Sequence, residues 1–220
     1  MAAALIVHAR FDEASRLASE LESLLDSIGD PNLILGLLYA ALPTNYQRCE
    51  MNEALRIAER TIELADGDAT KGNLIIGSPL TGAIMLRGCA RCFVGDPGWK
   101  ADVDQAVRMV RAFEPALRAI MLLFKYNLVP NGVWLPDADA VQETAEMLEI
   151  AERSGDDLTL ACGRYVHGVA MLTYDEASRE DAFVLLAAAR EAALQERFTL
   201  GAATLLNLFV GNEKLRTGDF

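Results

Sequence analysis

A helical periodicity of apolar residues is the feature that most constrains the fold of this chain. Between residues 54 and 65, apolar side chains recur every three or four positions, and charged side chains lie between them. On a helix this spacing forms one apolar stripe, which predicts an amphipathic helix that buries the stripe. The same pattern returns at residues 17–28, 103–113, 141–151 and 183–194. Because the alternation typical of strands is scarce, we predict an all-α chain.

Turns that combine glycine and aspartate separate the predicted helices. They occur at residues 27–31, 65–68 and 154–157, and a more polar turn lies at 195–197. Glycine favours the left-handed conformation at the end of a helix, and the aspartate that follows can cap the next helix. After each turn comes a helix of small and apolar residues, such as residues 158–172, which allows neighbouring helices to approach closely.

The turns recur at spacings of about 38 to 47 residues, which is the range of two-helix solenoid repeats. We therefore predict a single domain over residues 1–220, a tetratricopeptide-like α-solenoid of antiparallel helix pairs with about five repeats. Residues 10–14 and 216–220 both resemble the turn inside one such unit. The predicted array is thus truncated at both ends, and we expect a fragment of a larger multidomain protein.

The charge balance limits the expected partners. The 220 residues include 32 acidic and 20 basic ones, which gives a formal net charge of -12 without a cluster of Lys and Arg. Nucleic acids and anionic membranes need a concentrated positive patch, so neither is expected as a partner. The sequence has no signal-peptide pattern and no apolar stretch of the roughly 18 to 20 residues that span a bilayer. Its four cysteines are too sparse for a disulfide framework, and we expect a cytoplasmic protein.

Three segments carry a resemblance to a known family. Residues 86–99 read LRGCARCFVGDPGW, residues 125–132 read KYNLVPNG, and residues 148–157 read LEIAERSGDD. They resemble the tetratricopeptide-like helical region of actinobacterial multidomain regulators. In those proteins a class III adenylate cyclase domain, an AAA/STAND-type ATPase or a LuxR-type DNA-binding domain shares the chain. The resemblance covers most of residues 50–175 and implies that such an output domain lies elsewhere in the parent protein.

The motifs of nucleotide, metal and redox chemistry are incomplete. Residues 77–83 have the outer glycine spacing of a phosphate-binding loop, but the lysine that must follow the second glycine is missing. We assign these glycines to helix breaking or close packing. Cys89 and Cys92 lack the second ligand pair of a structural zinc site. Core packing is the expected role for both, and for Cys49 and Cys162.

The titratable residues show no catalytic spacing. His8 and His167 have no carboxylate beside them at helical spacing, so each is expected to be structural. Glu143, Glu146 and Glu149 are three residues apart, which is typical of a solvated acidic helix face. No nucleophile elbow of the G-x-S-x-G type occurs in the sequence. We therefore predict no catalytic residue, metal site or cofactor, and expect that this region is not an enzyme.

Residues 125–136 interrupt the helical pattern with aromatic, polar and turn-forming residues. Aromatic side chains beside converging polar groups are typical of binding sites. The candidate residues for binding a partner or a small effector are Lys125, Tyr126, Asn127, Asn131 and Trp134. The alternative is a structural connection in which Pro130 stops a helix, the Asn-Gly pair turns the chain and Trp134 fills a gap.

The helical pattern, together with what the resemblance implies, leads to two candidate functions. The first is a non-catalytic regulatory or protein-interaction domain of a bacterial signalling or transcription-regulating protein, whose parent carries a cyclase or a STAND ATPase. Its partner would be another protein or other domains of the same chain. The alternative is an effector-sensing solenoid of a MalT-like or LuxR-type activator, which binds a small molecule inside the superhelix. We also expect that apolar surfaces at the repeat ends favour homo-oligomers.

Overall fold

The computed structural model describes residues 12, 13, 16, 17, 20, 29–73, 77–174, 176–195 and 200–218. A short 3-10 helix lies at Glu176–Ser178, and the α-helices are α1 (Pro31–Gln47), α2 (Met51–Ala65), α3 (Pro79–Val94), α4 (Trp99–Val110), α5 (Pro115–Tyr126), α6 (Ala138–Ser154), α7 (Asp157–Tyr174), α8 (Arg179–Gln195) and α9 (Leu200–Thr217). The chain divides into two compact units, Met1–Leu117 and Arg118–Phe220, and α5 begins in the first and ends in the second.

The all-α prediction is confirmed, because the described residues form helices and turns without a strand. The amphipathic segments predicted at 54–65, 103–113, 141–151 and 183–194 correspond to α2, α4, α6 and α8, and only the last three residues of the second segment lie beyond a helix. Most of the segment predicted at 17–28 lies outside the described residues. None of the described helices combines the length and apolar content needed to cross a membrane.

Consecutive helices pack against one another in the first unit. Helix α2 contacts α1 and α3, and α3 contacts α4 and also α1. The apolar stripe of α2, which includes Ile57 and Ala58, is fully buried, while α3 is buried over most of its length. A Cβ atom added at Gly82 of α3 would overlap the Tyr39 ring of α1. Glycine at this position therefore allows the close approach of α1 and α3.

A partly buried ion cluster joins α3 to α4. The carboxylate of Asp102, whose side chain is 7% exposed, accepts hydrogen bonds from Arg87 Nε at 2.9 Å and Arg87 Nη2 at 2.7 Å. Arg91 Nη1 donates to the same carboxylate at 2.8 Å, and Arg91 Nε lies 3.3 Å from Asp96 Oδ2. Three charge-assisted hydrogen bonds compensate for the desolvation of Asp102, so these arginines stabilise the helix pair.

In the second unit, helix α7 packs against both α6 and α8, and α8 packs against α9. Two glycines of α7 face its two neighbours. A Cβ atom at Gly163 would lie 2.9 Å from Ala151 Cβ of α6, and one at Gly168 would lie 2.8 Å from the Leu186 side chain of α8. The prediction that small residues allow close approach at 158–172 is therefore confirmed.

The turn at 154–157 has the predicted left-handed glycine and capping aspartate, whereas the turn at 27–31, whose first two residues lie outside the described residues, has the predicted capping aspartate but no left-handed conformation at Gly29. Asp30 Oδ1 accepts from the backbone N–H groups of Asn32 at 2.9 Å and Leu33 at 3.3 Å, at the start of α1. Gly155 has a φ of 69°, and Asp156 Oδ2 accepts from Thr159 N at 2.7 Å at the start of α7. Each carboxylate satisfies backbone donors that have no partner inside the helix.

The turn at 65–68 differs from this pattern. Asp66 and Gly67 are left-handed, as a helix end favours, but Asp68 accepts from Thr70 N at 2.9 Å and caps no helix. The next helix begins at Pro79, where Ser78 Oγ accepts from Thr81 N at 3.2 Å. The motif at 77–83 spans the start of α3. Gly77 is left-handed just before the helix and Gly82 packs against Tyr39, as expected for a helix-breaking or close-packing role.

Candidate functional site

The five candidate residues lie at the end of α5 and in the connection to α6, within the second unit. Helix α5 ends at Tyr126, where the backbone N–H of Leu128 turns back to the carbonyl of Lys125 at 3.2 Å. Helix α6 begins after Asp137, whose Oδ1 accepts from Ala140 N at 2.9 Å. The connection therefore starts and ends at fixed helix termini, which positions Asn131 and Trp134 between them.

Lys125 forms an ion pair with a residue that the sequence analysis assigned to a solvated face. Its Nζ donates to Glu143 Oε2 at 2.6 Å, and the two side chains are only 16% and 17% exposed. The ammonium group also lies 5.4 Å from the ring centre of Tyr126 and 5.5 Å from that of Trp134. The lysine charge is balanced by a carboxylate and by two aromatic faces.

Tyr126 is the most enclosed member of the group and is fully buried. Its hydroxyl donates to the carbonyl of Ala140 at 3.0 Å, and Glu143 Oε2 lies 3.3 Å away. Burial, and then the Glu143 carboxylate, raise the pKa of Tyr126 well above its usual value, which keeps the phenol protonated as a donor. Trp134 packs against this ring edge-on at 5.5 Å, and its Nε1 approaches the carbonyl of Lys125 at 3.5 Å.

Asn127 connects the same loop to α7, and Asn131 bonds to Asn127 within the loop. Tyr165 of α7, which is buried, donates its hydroxyl to Asn127 Oδ1 at 2.7 Å. Asn131 Nδ2 donates to the carbonyl of Asn127 at 2.7 Å. Burial raises the pKa of Tyr165, so its phenol also stays protonated. These bonds hold the loop on α7 while Asn131 itself remains exposed.

The structure brings all five predicted residues together. Most of their polar groups, however, form hydrogen bonds or ion pairs with one another or with α6 and α7. The part that faces solvent consists of Asn131, a half-buried Trp134 and Leu135, whose side chain is 75% exposed. Sequence reasoning missed Glu143 and Tyr165. The expectation of a solvated face is wrong for Glu143, because that position points toward the end of α5, whereas Glu146 and Glu149 are exposed as predicted.

His167 has a structural partner in α6, whereas His8 lies outside the described residues. Thr144 Oγ1 donates to the carbonyl of Ala140 at 2.9 Å and lies 3.0 Å from His167 Nδ1. The Thr144 hydroxyl donates its one proton to the carbonyl of Ala140, so the imidazole of His167 is assigned as the donor to Thr144 Oγ1. Burial lowers the pKa of His167, which favours this neutral ring.

The cysteines differ in exposure. Cys89 and Cys162 are buried, as the core-packing prediction requires, and burial raises the pKa of each thiol to about 12. Cys92 is half-buried at the end of α3. The prediction is wrong for Cys49, which is exposed in the turn after α1 with a φ of 61°.

Within the part of the chain that the structure describes, no three His, Cys, Asp or Glu side chains are grouped so that they could hold a metal ion. Comparison with protein-family models, curated proteins and solved structures finds no match to this chain. The interpretation of the loop therefore depends on its geometry.

Proposed function

We propose that this chain is a non-catalytic helical-repeat domain of a multidomain bacterial signalling or transcription-regulating protein, and that it acts through contact with another protein or with other domains of its parent. One observation carries the proposal. In each unit a helix packs mainly on the helices next to it in sequence, from α1 to α4 and from α6 to α9. Nearest-neighbour packing of this kind is the basis of helical repeat arrays, whose extended surfaces bind proteins.

The solvent-facing part of the loop after α5 supplies a surface for such contact. Leu135 is exposed, Trp134 is half-buried, and the exposed amide of Asn131 lies beside them. An aromatic side chain that is held in place loses little conformational entropy when a partner covers it. The Lys125–Glu143 pair and the buried Tyr126 support this surface from below.

The test begins with the coding sequence on both sides of residues 1–220. If the reading frame continues into a nucleotide-binding or cyclase domain, the longer chain is expressed with Leu135→Asp, and nucleotide turnover is measured. We expect a change of severalfold, because a charge replaces an apolar contact. Val184→Asp is the matched control, since Val184 is a similarly exposed aliphatic residue of the same unit at 69% exposure.

Two results would contradict the proposal. In one, the reading frame closes on both sides of the chain. In the other, Leu135→Asp and Val184→Asp leave turnover equally unchanged, so the loop surface has no role in regulating the output domain.

The second candidate function is a small-molecule sensor of the MalT-like or LuxR-type kind. Since the Tyr126 hydroxyl already has a partner, an effector at this loop would contact Trp134 and Asn131 instead. A second place for an effector is the groove between α8 and α9, which is about half open to solvent and is lined by Phe183, Ala187 and Val210 among the described residues. If a metabolite raises the melting temperature of the Trp134→Ala variant as much as that of the unchanged chain, the metabolite binds at a place other than the loop.

A further inference from the structure

The contacts between α1 and α3 show that these two helices of the first unit run parallel and in register. The Tyr39 ring of α1 packs on Gly82 of α3, and a hydrogen bond joins Tyr46 to Cys89. Tyr46 and Cys89 each lie seven residues, or about two helical turns, beyond the first pair. The register is therefore kept over this length, and it predicts which residues meet at the ends of the two helices.

One turn further, the same register pairs Cys49 with Cys92. Each lies three residues beyond one member of the Tyr46–Cys89 pair. Although Cys49 follows the end of α1, its backbone N–H donates to the carbonyl of Tyr46 at 3.0 Å, which keeps it within one turn of the helix. The ring of Phe93, the neighbour of Cys92, lies 6.1 Å from the ring of Tyr46. Three cysteines are thus gathered where α1 and α3 end.

The electrostatics of Tyr46 agree with this arrangement. Burial first, and then the thiols of Cys89, Cys92 and Cys49, raise the pKa of the phenol well above its usual value. All three sulfurs therefore lie within electrostatic reach of one hydroxyl group.

The three thiols differ in access and in reactivity. Cys89 is fully buried, and burial raises its pKa to about 12, so this thiol is a poor nucleophile at neutral pH. Cys92 is half-buried near the end of α3, and Cys49 is exposed in the turn before α2. A reagent from solvent thus meets Cys49 first, and Cys92 is the accessible thiol on the facing helix.

We propose that Cys49 and Cys92 form a thiol–disulfide exchange site that reacts with small aliphatic disulfides. The Cys49 thiolate attacks one sulfur of the reagent, the reagent's S–S bond breaks, and half of the reagent stays on Cys49 as a mixed disulfide. Cys92 then attacks Cys49 Sγ, releases that second half and closes a Cys49–Cys92 disulfide. Each departing thiolate takes up the proton that the attacking cysteine gave up. Two protein thiols are oxidised, and one reagent disulfide is reduced to two thiols.

The new bond fastens the turn between α1 and α2 to the end of α3. It closes a loop of about 40 residues, which restricts the unfolded chain. The oxidised chain should therefore melt at a higher temperature than the reduced chain.

The test uses bis(2-hydroxyethyl) disulfide, which is uncharged and is not repelled by an acidic chain. The full chain is treated at neutral pH, its remaining thiols are blocked with N-ethylmaleimide, and it is digested with trypsin without reductant. Trypsin leaves the three cysteines on separate peptides, 49–56, 88–91 and 92–100, which mass spectrometry distinguishes. We expect peptide 49–56 to be joined to peptide 92–100.

Three other results would overturn the proposal. Peptide 49–56 is joined to peptide 88–91, or the mixed disulfide on Cys49 persists in the unchanged chain, or a non-reducing gel shows a disulfide-linked dimer.

Serine substitutions separate the two steps. Cys92→Ser should stop at the mixed disulfide on Cys49, and Cys49→Ser should lose both the mixed disulfide and the cross-link. Cys162→Ser is the matched control, because it removes a buried thiol of the second unit and should leave the cross-link unchanged. Circular dichroism checks the folding of each variant, and the peptide map of the unchanged chain depends on none of them. A folded Cys92→Ser chain that still loses the mixed disulfide as fast as it forms would also overturn the proposal.

Discussion

The ion pair between Lys125 and Glu143 should contribute measurably to the stability of the second unit. We propose a double-mutant cycle with Lys125→Met and Glu143→Gln. The background variant is Trp99→Phe, which leaves Trp134 as the remaining tryptophan and makes its fluorescence report on this unit. Urea unfolding gives the free energy of unfolding for each variant, and the cycle isolates the coupling between the two side chains.

The expected size follows from the geometry. At the 2.6 Å between Nζ and Oε2, the Coulomb attraction at an effective dielectric constant near 20 is several kcal/mol. Desolvation of two side chains that are 16% and 17% exposed cancels much of this gain. We expect a coupling of about 1 to 3 kcal/mol. In Glu143→Gln the ammonium keeps its two aromatic faces, so this variant should lose less stability than Lys125→Met.

The same helix offers a matched control. Arg153 Nη2 lies 2.9 Å from Glu149 Oε2, but these side chains are 73% and 69% exposed. The corresponding cycle should give a coupling of about 0.3 to 0.5 kcal/mol. Molar sodium chloride should remove most of the coupling of this exposed pair and little of that of the shielded pair.

If the Lys125–Glu143 coupling is no larger than that of the exposed pair, the reasoning is refuted. Lys125 would then be available for recognition of a ligand or partner. A large coupling would instead show that the charge of Lys125 is paired inside the fold. Lys125 would then position Trp134 rather than bind a partner directly.

Three further predictions use single substitutions or chemical probes. Gly163→Ala should lower the free energy of unfolding by about 1 to 3 kcal/mol, because the added methyl group overpacks against α6. Gly211→Ala should raise it by about 0.5 to 1 kcal/mol, because an added Cβ there meets nothing within 4 Å. A urea titration measures both changes. Iodoacetamide should modify Cys49 first and Cys89 only on unfolding, as followed by peptide mass spectrometry, because burial raises the pKa of Cys89 to about 12; equal rates would contradict this. Burial lowers the folded-state pKa of His167, so the unfolded state binds the proton more readily and stability should fall as the pH drops below about 6.5; this part of the pH dependence should disappear in His167→Gln.

The helices and most turns could be predicted because their causes are local. The apolar stripe of α2 and the cap of Asp156 on α7 depend on residues within one or two turns of each other. The rule that an aspartate after a helix-ending glycine caps the next helix fails at the turn of residues 65–68. Asp68 follows a glycine as the pattern requires, but it bonds Thr70 because no helix begins there.

The environment of the loop after α5 could be predicted only in part. The aromatic and turn-forming residues mark its position, but the partners of Lys125 and Asn127 come from α6 and α7. Glu143 belongs to a run of acidic residues spaced three apart. Only the orientation of α6 relative to α5 makes Glu143 shielded and Glu146 exposed. That orientation is set by tertiary packing, which a periodicity in one helix does not contain.

Helix α7 links the loop after α5 to the other end of the second unit. It packs on both α6 and α8, and its Tyr165 donates a hydrogen bond to Asn127 of the loop. A shift of α8 would therefore reach the loop through one helix. Such coupling requires that a ligand or partner bind two arrangements of α8 unequally, because one with equal affinity for both changes neither population.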